Sequence, residues 1–150
     1  MFVGYYLSKI GWIEVCASEH FLLSCSFVEE IGIENKNNII EMTIKQLDEY
    51  FNGMRKSFDL PLKLDGTDFQ IKVWKSLMDI PYGMTCSYFD IANAIHQPKA
   101  CRAVGNANNK NKIAIIIPCH RVIGKNKKMV GYASGIEKKE YLLGLEALNC

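Results

Sequence analysis

The sequence lacks the long apolar segments and paired cysteines that are typical of membrane proteins, exported proteins and zinc sites. No apolar run approaches the roughly 20 residues that cross a bilayer, and the first residues lack the basic start and apolar stretch of a secretory signal. The six cysteines form no C-x-x-C pair. Cys16, Cys25 and His20 have no convincing fourth ligand nearby, so we predict no zinc site. We expect a cytoplasmic protein with reduced thiols.

The net charge of +2 hides an uneven distribution of charged residues along the 150-residue chain. Residues 1–66 hold six basic and ten acidic side chains, whereas residues 67–150 hold twelve basic and six acidic ones. A basic half joined to an acidic half is typical of a polyanion-binding module carried with a scaffold. A chance bias of the surface would give the same counts, so charge alone leaves both interpretations open.

Hydrophobic patterning in the first half predicts a small sheet followed by a helix. Runs rich in β-branched and aromatic residues, separated by short turns, predict an antiparallel meander with strands over residues 2–7, 12–17 and 21–28. Apolar residues then recur at helical spacing and predict a helix over residues 39–51. Residues 57–66 are predicted to be extended and to connect to the basic half.

The second half carries the signals of short helices with defined ends. Thr67 with Gln70, and Ser87 with Asp90, have the spacing of capping boxes, in which two side chains satisfy backbone amides at a helix start. Pro98 suits the first position of a third helix. Two short helices joined by so tight a turn predict a helix-turn-helix.

The second helix of that pair consists mostly of small residues, and only Arg102 projects far from it. A helix with a low profile can approach a DNA groove closely while one guanidinium reaches further. Small residues also permit tight packing between helices, in which case Arg102 would be solvated. Lys125, Lys127 and Lys128 either contact phosphates or lie on a solvated loop.

A continuous apolar run over residues 113–117 predicts a buried strand that leads into Pro118-Cys119-His120. Pro118 restricts the backbone before Cys119, and a helical turn starting there would favour the thiolate form of the cysteine. His120 offers a base that works near neutral pH. A lone cysteine is usually an inert core residue, so this local pattern does not separate a nucleophile from a packed thiol.

The wider pattern around the cysteine is much more specific. The segment Ile115-Ile116-Ile117-Pro118-Cys119-His120-Arg121-Val122-Ile123-Gly124 closely resembles the active-site signature of the O6-alkylguanine-DNA alkyltransferases. Other segments resemble the same family in order and spacing, over residues 69–74, 80–83, 98–105, 131–133 and 138–146. The resemblance covers nearly all of residues 67–148, whereas the N-terminal half matches only in general character.

The resemblance implies an α/β fold in two domains. Residues 1–66 would form a ribonuclease H-like sheet domain, and residues 67–150 a helical, winged-helix-like DNA-binding domain. The protein would repair double-stranded DNA by moving an alkyl group from O6 of guanine onto its own cysteine, once per molecule. It would need no cofactor, because the DNA is the alkyl donor, and we expect a monomer. Repair of O4-alkylthymine is left open.

The resemblance also implies chemical roles for individual residues. Cys119 would accept the alkyl group, His120 would act as its base through a water, and Glu146 would orient the imidazole and stabilise its charge. Tyr88 would donate its hydroxyl proton toward N3 of guanine, so that the base departs neutral. Asn111 would hold the loop before the predicted strand in shape.

A second group of residues would recognise the nucleotide after it has rotated out of the duplex. Arg102 would fill the gap from a helix laid in the minor groove. The backbone around Cys119 and Val122 would accept hydrogen bonds from the exocyclic amine of guanine. Tyr132 and the amide of Ala133 would line the pocket near O6.

Three other functions fit parts of the pattern. A lesion sensor that binds alkylated guanine without transfer resembles this family but replaces the nucleophile, and the presence of Cys119 argues against it. A helix-turn-helix regulator would leave the Pro118-Cys119-His120 segment unexplained, and a hydrolytic cysteine enzyme would turn over an ester or amide. Ala133, Ser134 and Asn106 depart from the family pattern; at Ala133 only the backbone amide could serve.

Overall fold

The computed structural model describes residues 1–125 and 131–150 of the chain. Contacts divide the chain into two compact units. The N-terminal unit comprises Met1–Asp65 and Lys112–Ile116, and the C-terminal unit comprises Gly66–Asn111 and Ile117–Cys150. In the part of the chain that the structure describes, no helix is both long and apolar enough to cross a membrane.

The N-terminal unit contains an antiparallel sheet in the order β1-β2-β3, which confirms the predicted meander. Its strands are β1 (Phe2–Ser8), β2 (Gly11–Ala17) and β3 (Leu22–Val28). Ile13 and Val15 have no exposed surface. They lie two residues apart because successive side chains of a strand point to opposite faces of the sheet. One face of the sheet is therefore part of the core.

Helix α1 (Asn38–Phe51) packs against β1 and β2 and confirms the predicted helix. The side chain of Asn37 caps its start by accepting a hydrogen bond from the amide of Ile40 at 3.0 Å. A Cβ atom at Gly4 would lie 2.5 Å from Cγ2 of Ile40. The close approach of helix and sheet therefore requires glycine at this position of β1.

The apolar run before the cysteine is buried, but the strand predicted over residues 113–117 is wrong. Ile113 forms a single parallel bridge with Cys25, and the chain then turns. Ile115 has a φ of 71°, in the left-handed region that β-branched residues rarely adopt. A strand cannot continue through this conformation, so the side chains fill the core without forming a ladder.

The C-terminal unit contains the two capping boxes that the sequence predicts. Helix α2 (Asp68–Leu77) starts at the box of Thr67, and α3 (Tyr88–Ala94) starts at the box of Ser87. Helix α4 (Cys101–Asn109) packs against both. The pair α3 and α4 has the arrangement predicted for a helix-turn-helix, with a short connection between two packed helices.

The start of α4 differs from the prediction. The helix begins at Cys101 with Ala100 as its N-cap, whereas Pro98 lies in the preceding turn and is not the first helical residue. The amide of Ala100 donates to the carbonyl oxygen of Gln97 at 3.0 Å. This bond closes a separate turn with Pro98 at its second position. Proline favours that position of a turn as well as the first position of a helix.

Two further elements complete the C-terminal unit. The short strands β4 (Cys86–Ser87) and β5 (Val122–Ile123) pair in parallel. Helix α5 (Ile136–Asn149) contacts a single 3₁₀ turn, Cys119–Arg121, directly before β5. The candidate nucleophile is therefore held between a short sheet and the last helix.

Candidate active site

Cys119 begins the 3₁₀ turn and is only 6% exposed. Its amide donates to the carbonyl oxygen of Ile117 at 2.8 Å, and the amide of Arg121 donates to the carbonyl oxygen of Pro118 at 3.0 Å. The side chain of Asn111 also donates to the carbonyl oxygen of Ile117, at 2.9 Å. These bonds fix the backbone on both sides of the thiol.

Burial raises the pKa of the Cys119 thiol above its ordinary value. A hydrogen bond from Asn111, the positive charge of Lys139 and the backbone amides of Cys119 and His120 act in the opposite direction, but burial is the larger effect. The amides of the turn thus favour the thiolate form, as the sequence suggested, but burial outweighs them and the net shift favours the thiol. The thiol needs a base before it can act as a nucleophile.

His120 and Glu146 form a hydrogen-bonded pair without exposed surface, with Nε2 of His120 2.6 Å from Oε2 of Glu146. A carboxylate only accepts hydrogen bonds, so Nε2 carries the proton and Nδ1 keeps its lone pair. Nδ1 is buried and has no hydrogen-bond partner among residues 1–125 and 131–150. Burial lowers the pKa of His120, with Glu146 opposing the shift. The imidazole is thus neutral near pH 7 and can accept a proton at Nδ1.

Arg121 fixes the other side of the same carboxylate. Its Nε donates to Oε1 of Glu146 at 2.8 Å and its Nη2 donates to Oε2 at 3.0 Å, a bidentate contact. Nη1 donates to the carbonyl oxygen of Ile80 at 2.7 Å, and the amide of Gly83 donates to Oε1 of Glu146 at 3.2 Å. Arg121 was not among the predicted site residues, although a cation inside an apolar segment indicates a buried partner.

Two buried side chains that sequence reasoning missed contact the backbone at either end of this turn. Nζ of Lys139 donates to the carbonyl oxygen of Val122, and Nδ2 of Asn108 donates to the carbonyl oxygen of Cys119 at 3.3 Å. Burial lowers the pKa of Lys139 to about 8. Its spacing could have indicated that Lys139 is buried, because it lies seven residues before Glu146, on the same face of α5.

Tyr88 is the first residue of α3 and is half-buried. Burial raises its pKa, and Cys119 adds to that shift, so its hydroxyl stays protonated at neutral pH. A Cβ atom at Gly131 would lie 2.9 Å from this hydroxyl, and φ at Gly131 is 65°. Glycine is therefore required there both for space and for backbone conformation.

An open cavity of about 800 Å³ joins Tyr88 to the exposed Arg102 of α4. It is also lined by Ser87, Phe89, Cys101, Gly105 and Lys125. Lys127 and Lys128, for which the sequence leaves phosphate contact and a solvated loop equally open, lie outside the described residues. The cavity places the predicted proton donor and the predicted DNA-inserting arginine on one surface.

The remaining predicted site residues occupy different positions around the turn. Val122 is buried in β5, and its carbonyl group accepts the bond from Lys139. Tyr132 is buried and Ala133 is exposed in the segment before α5. Within the described ranges, no group of three or more His, Cys, Asp or Glu side chains could hold a metal ion.

Two family models together match almost the whole chain. The 6-O-methylguanine DNA methyltransferase, DNA binding domain matches residues 68–148. The 6-O-methylguanine DNA methyltransferase, ribonuclease-like domain matches residues 1–64. The fold class predicted from the sequence, a ribonuclease-like sheet domain followed by a helical DNA-binding domain, is thereby confirmed.

Individual relatives agree with these matches. The methylated-DNA–protein-cysteine methyltransferase of Methanosarcina barkeri is 58% identical, over 95% of this chain and 94% of the relative. A crystal structure of Mycobacterium tuberculosis O6-methylguanine methyltransferase has a TM-score of 0.91 at 41% identity, covering 99% of this chain and 94% of that chain. The protein OGT of the same species in complex with DNA has a TM-score of 0.90 at 42% identity, covering 97% and 92%. The chain belongs to the 6-O-methylguanine DNA methyltransferase family.

Proposed function

We propose that this protein repairs DNA by direct reversal, moving an alkyl group from O6 of guanine to Sγ of Cys119 once per molecule. The observation that carries the proposal is a buried thiol followed directly in the chain by a buried imidazole, whose Nε2 is fixed on Glu146 and whose Nδ1 has no partner among the described residues. Family membership supports the same reaction, since the relatives are named as methylated-DNA–protein-cysteine methyltransferases.

The reaction begins with transfer of the Cys119 proton to Nδ1 of His120 through a water molecule. Burial raises the pKa of the thiol and lowers the pKa of the imidazole, so this step is unfavourable without further stabilisation. The negative charge of Glu146, 2.6 Å from Nε2, stabilises the imidazolium as it forms. The thiolate is thus generated only with the support of the Glu146 carboxylate.

The thiolate then attacks the alkyl carbon in line with the bond to O6. The sulfur–carbon bond forms as the carbon–oxygen bond breaks, and the electron pair of the broken bond passes into the guanine ring. Tyr88 gives its hydroxyl proton to N3, so the base leaves neutral, and the proton held by His120 replaces it through solvent. The net change exchanges the thiol hydrogen for the alkyl group. The thioether that remains is stable, which limits each molecule to one reaction.

DNA binding is assigned to the surface of α3 and α4. Arg102 would occupy the gap left by the rotated nucleotide, and the basic surface around Lys125 would contact phosphates. Tyr132 and the amide of Ala133 would line the pocket near O6, while Asn111 holds the backbone before Pro118. The carbonyl groups of Cys119 and Val122 would accept hydrogen bonds from the exocyclic amine of guanine.

The compartment that we propose is the cytoplasm. All six cysteines lie within the described residues, and each is a thiol rather than half of a disulfide. Free thiols persist in reducing compartments and tend to be oxidised elsewhere. A protein that depends on one thiol for its only reaction is best placed where thiols stay reduced.

Mass spectrometry after mixing the protein with a duplex that holds one O6-methylguanine tests the proposal. We expect one added methyl group per protein, on the peptide that contains Cys119, and ordinary guanine in the DNA. Cys119→Ala should bind the duplex without gaining a methyl group, and the matched variant Cys16→Ala should react as the unmodified protein does. Tight binding without transfer would instead indicate a lesion sensor, and continuous turnover of an ester would indicate a hydrolase.

A further inference from the structure

Two carbonyl groups at the ends of the 3₁₀ turn are each held by a buried side chain from a different helix. Nδ2 of Asn108, in α4, donates to the carbonyl oxygen of Cys119 at 3.3 Å. Nζ of Lys139, in α5, donates to the carbonyl oxygen of Val122. Asn108 is 1% exposed and Lys139 is fully buried. The backbone around the thiol is thus fixed from two sides.

Burying either side chain is unfavourable for the stability of the fold. Oδ1 of Asn108 is buried and has no hydrogen-bond partner in the described part of the chain, and a buried unsatisfied oxygen is unfavourable. Burying the amino group of Lys139 lowers its pKa to about 8, which reflects the cost of removing its charge from water. Apolar side chains of similar volume would avoid both costs.

The orientation of Asn108 is fixed by the group that it contacts. If its amide were rotated by half a turn, Oδ1 would face the carbonyl oxygen of Cys119, and two acceptors would repel each other. Each carbonyl oxygen has two lone pairs, so the bond from Lys139 leaves one lone pair of Val122 for another donor. In the proposed reaction that donor is the exocyclic amine of guanine. The carbonyl oxygen of Cys119 already accepts both Asn108 and the amide of Val122.

We infer that Asn108 and Lys139 are positioning residues that set the preference for guanine: Lys139 aims the carbonyl group of Val122 at the exocyclic amine, and Asn108 holds the turn at Cys119 in the shape that this requires. This inference rests on the proposed function. Neither residue contacts the base; each acts through a backbone carbonyl. The positive charge of Lys139 also favours the thiolate of Cys119, so a change at Lys139 alters the rate as well as the preference.

The test compares two duplexes that differ in one amino group. One holds O6-methylguanine and the other holds O6-methylhypoxanthine, which has the same reacting methyl group but no exocyclic amine. We expect the unmodified protein to react faster with O6-methylguanine by about fivefold or more, the effect of one or two net hydrogen bonds. Because the thiol chemistry is common to both substrates, the ratio of the two rate constants reports recognition of the amine alone.

Lys139→Met removes one donor at a similar side-chain volume, and Asn108→Met removes the other donor with a larger side chain. We expect the ratio for each variant to fall toward one. Lys138→Met, at the neighbouring position of α5, is the matched control and should keep the original ratio. Alkylation of Cys119 by iodoacetamide, which involves no nucleobase, reports whether the thiol of each variant still reacts. Asn108→Ala provides the same comparison if the bulkier methionine prevents folding.

Two results would overturn the inference while leaving the proposed function intact. The first is an unmodified protein that transfers methyl groups to Cys119 from both substrates at equal rates. The second is a pair of variants that react more slowly but keep the original ratio, since a purely structural role lowers both rates equally. Failure of the proposed function looks different, because no methyl group would then reach Cys119 from O6-methylguanine at all.

Discussion

Nε2 of His120 lies 2.6 Å from Oε2 of Glu146, and the same carboxylate accepts two hydrogen bonds from the neighbouring Arg121. With the imidazole neutral, the charges of Arg121 and Glu146 cancel inside the protein. When His120 takes a proton, the new positive charge lies against a carboxylate already held in place. The site can therefore accept a proton without moving a side chain, which lowers the reorganisation needed during reaction.

Replacing Glu146 by glutamine should slow alkyl transfer by about 100-fold or more, because the imidazolium loses its charge partner. The measurement is the single-turnover rate of methyl transfer from an O6-methylguanine duplex. Glu137→Gln, at an exposed position near the start of α5, is the control and should react normally. A Glu146→Gln rate within twofold of the original would contradict this role.

Removing Arg121 should destabilise the protein strongly. Arg121→Leu leaves the Glu146 carboxylate buried with one cation partner fewer, and such losses typically cost about 3–5 kcal/mol. The free energy of unfolding in denaturant measures the effect. Arg55→Leu breaks a more exposed pair with Glu49 and should cost less than about 1 kcal/mol.

A double variant separates the charge from the packing. Arg121→Leu combined with Glu146→Leu removes both charges, so it should recover part of the stability lost in Arg121→Leu alone. It should remain unable to transfer alkyl groups efficiently. If the stability losses of Arg121→Leu and Glu146→Leu simply add in the double variant, the ion pair contributes no coupling energy. The stabilising role given to the pair would then be wrong.

The sequence predicted the features whose causes are local. The box of Thr67 and Gln70 joins residues three apart, so its spacing alone identifies the helix start. The turn at Ile115 was not predicted, because the β propensity of the run gives no sign of a left-handed residue within it. The two-domain fold was predicted from the family resemblance, not from these local patterns.

The candidate site was predicted in its chemistry but not in its supporting contacts. Cys119 and His120 lie in a recognisable motif, whereas Arg121 reaches the carbonyl group of Ile80, 41 residues earlier in the chain. The net direction of the Cys119 pKa shift also depends on burial, which only the packed structure determines. Partners brought together by folding leave little trace in local sequence.

The stability of the protein should fall as the pH drops below about 6.5, partly because of His120. Its folded pKa lies below the ordinary value of 6.5. Below that pH the unfolded chain binds a proton at His120 that the folded chain does not, so unfolding is favoured. This contribution has a slope of at most about 1.4 kcal/mol per pH unit and is absent above the unfolded pKa.

Comparison of variants isolates that contribution from the titration of carboxylates. The free energy of unfolding is measured between pH 5 and 8 for the unmodified protein, His120→Gln and the exposed control His20→Gln. We expect a shallower loss at low pH for His120→Gln only. Curves of equal slope for all three proteins would show that His120 does not titrate differently in the folded state.

Alkylation should destabilise the folded protein, because Cys119 is only 6% exposed and its sulfur would have to carry a methyl group in a buried position. Overpacking of this kind typically costs about 1–3 kcal/mol, and each kcal/mol lowers Tm by roughly 2–4 °C in a chain of this size. Calorimetry of the protein after reaction with the lesion duplex, with the DNA removed, measures the shift. Protein treated with an undamaged duplex is the control, and an unchanged Tm after confirmed methylation would mean that the site has space for the group.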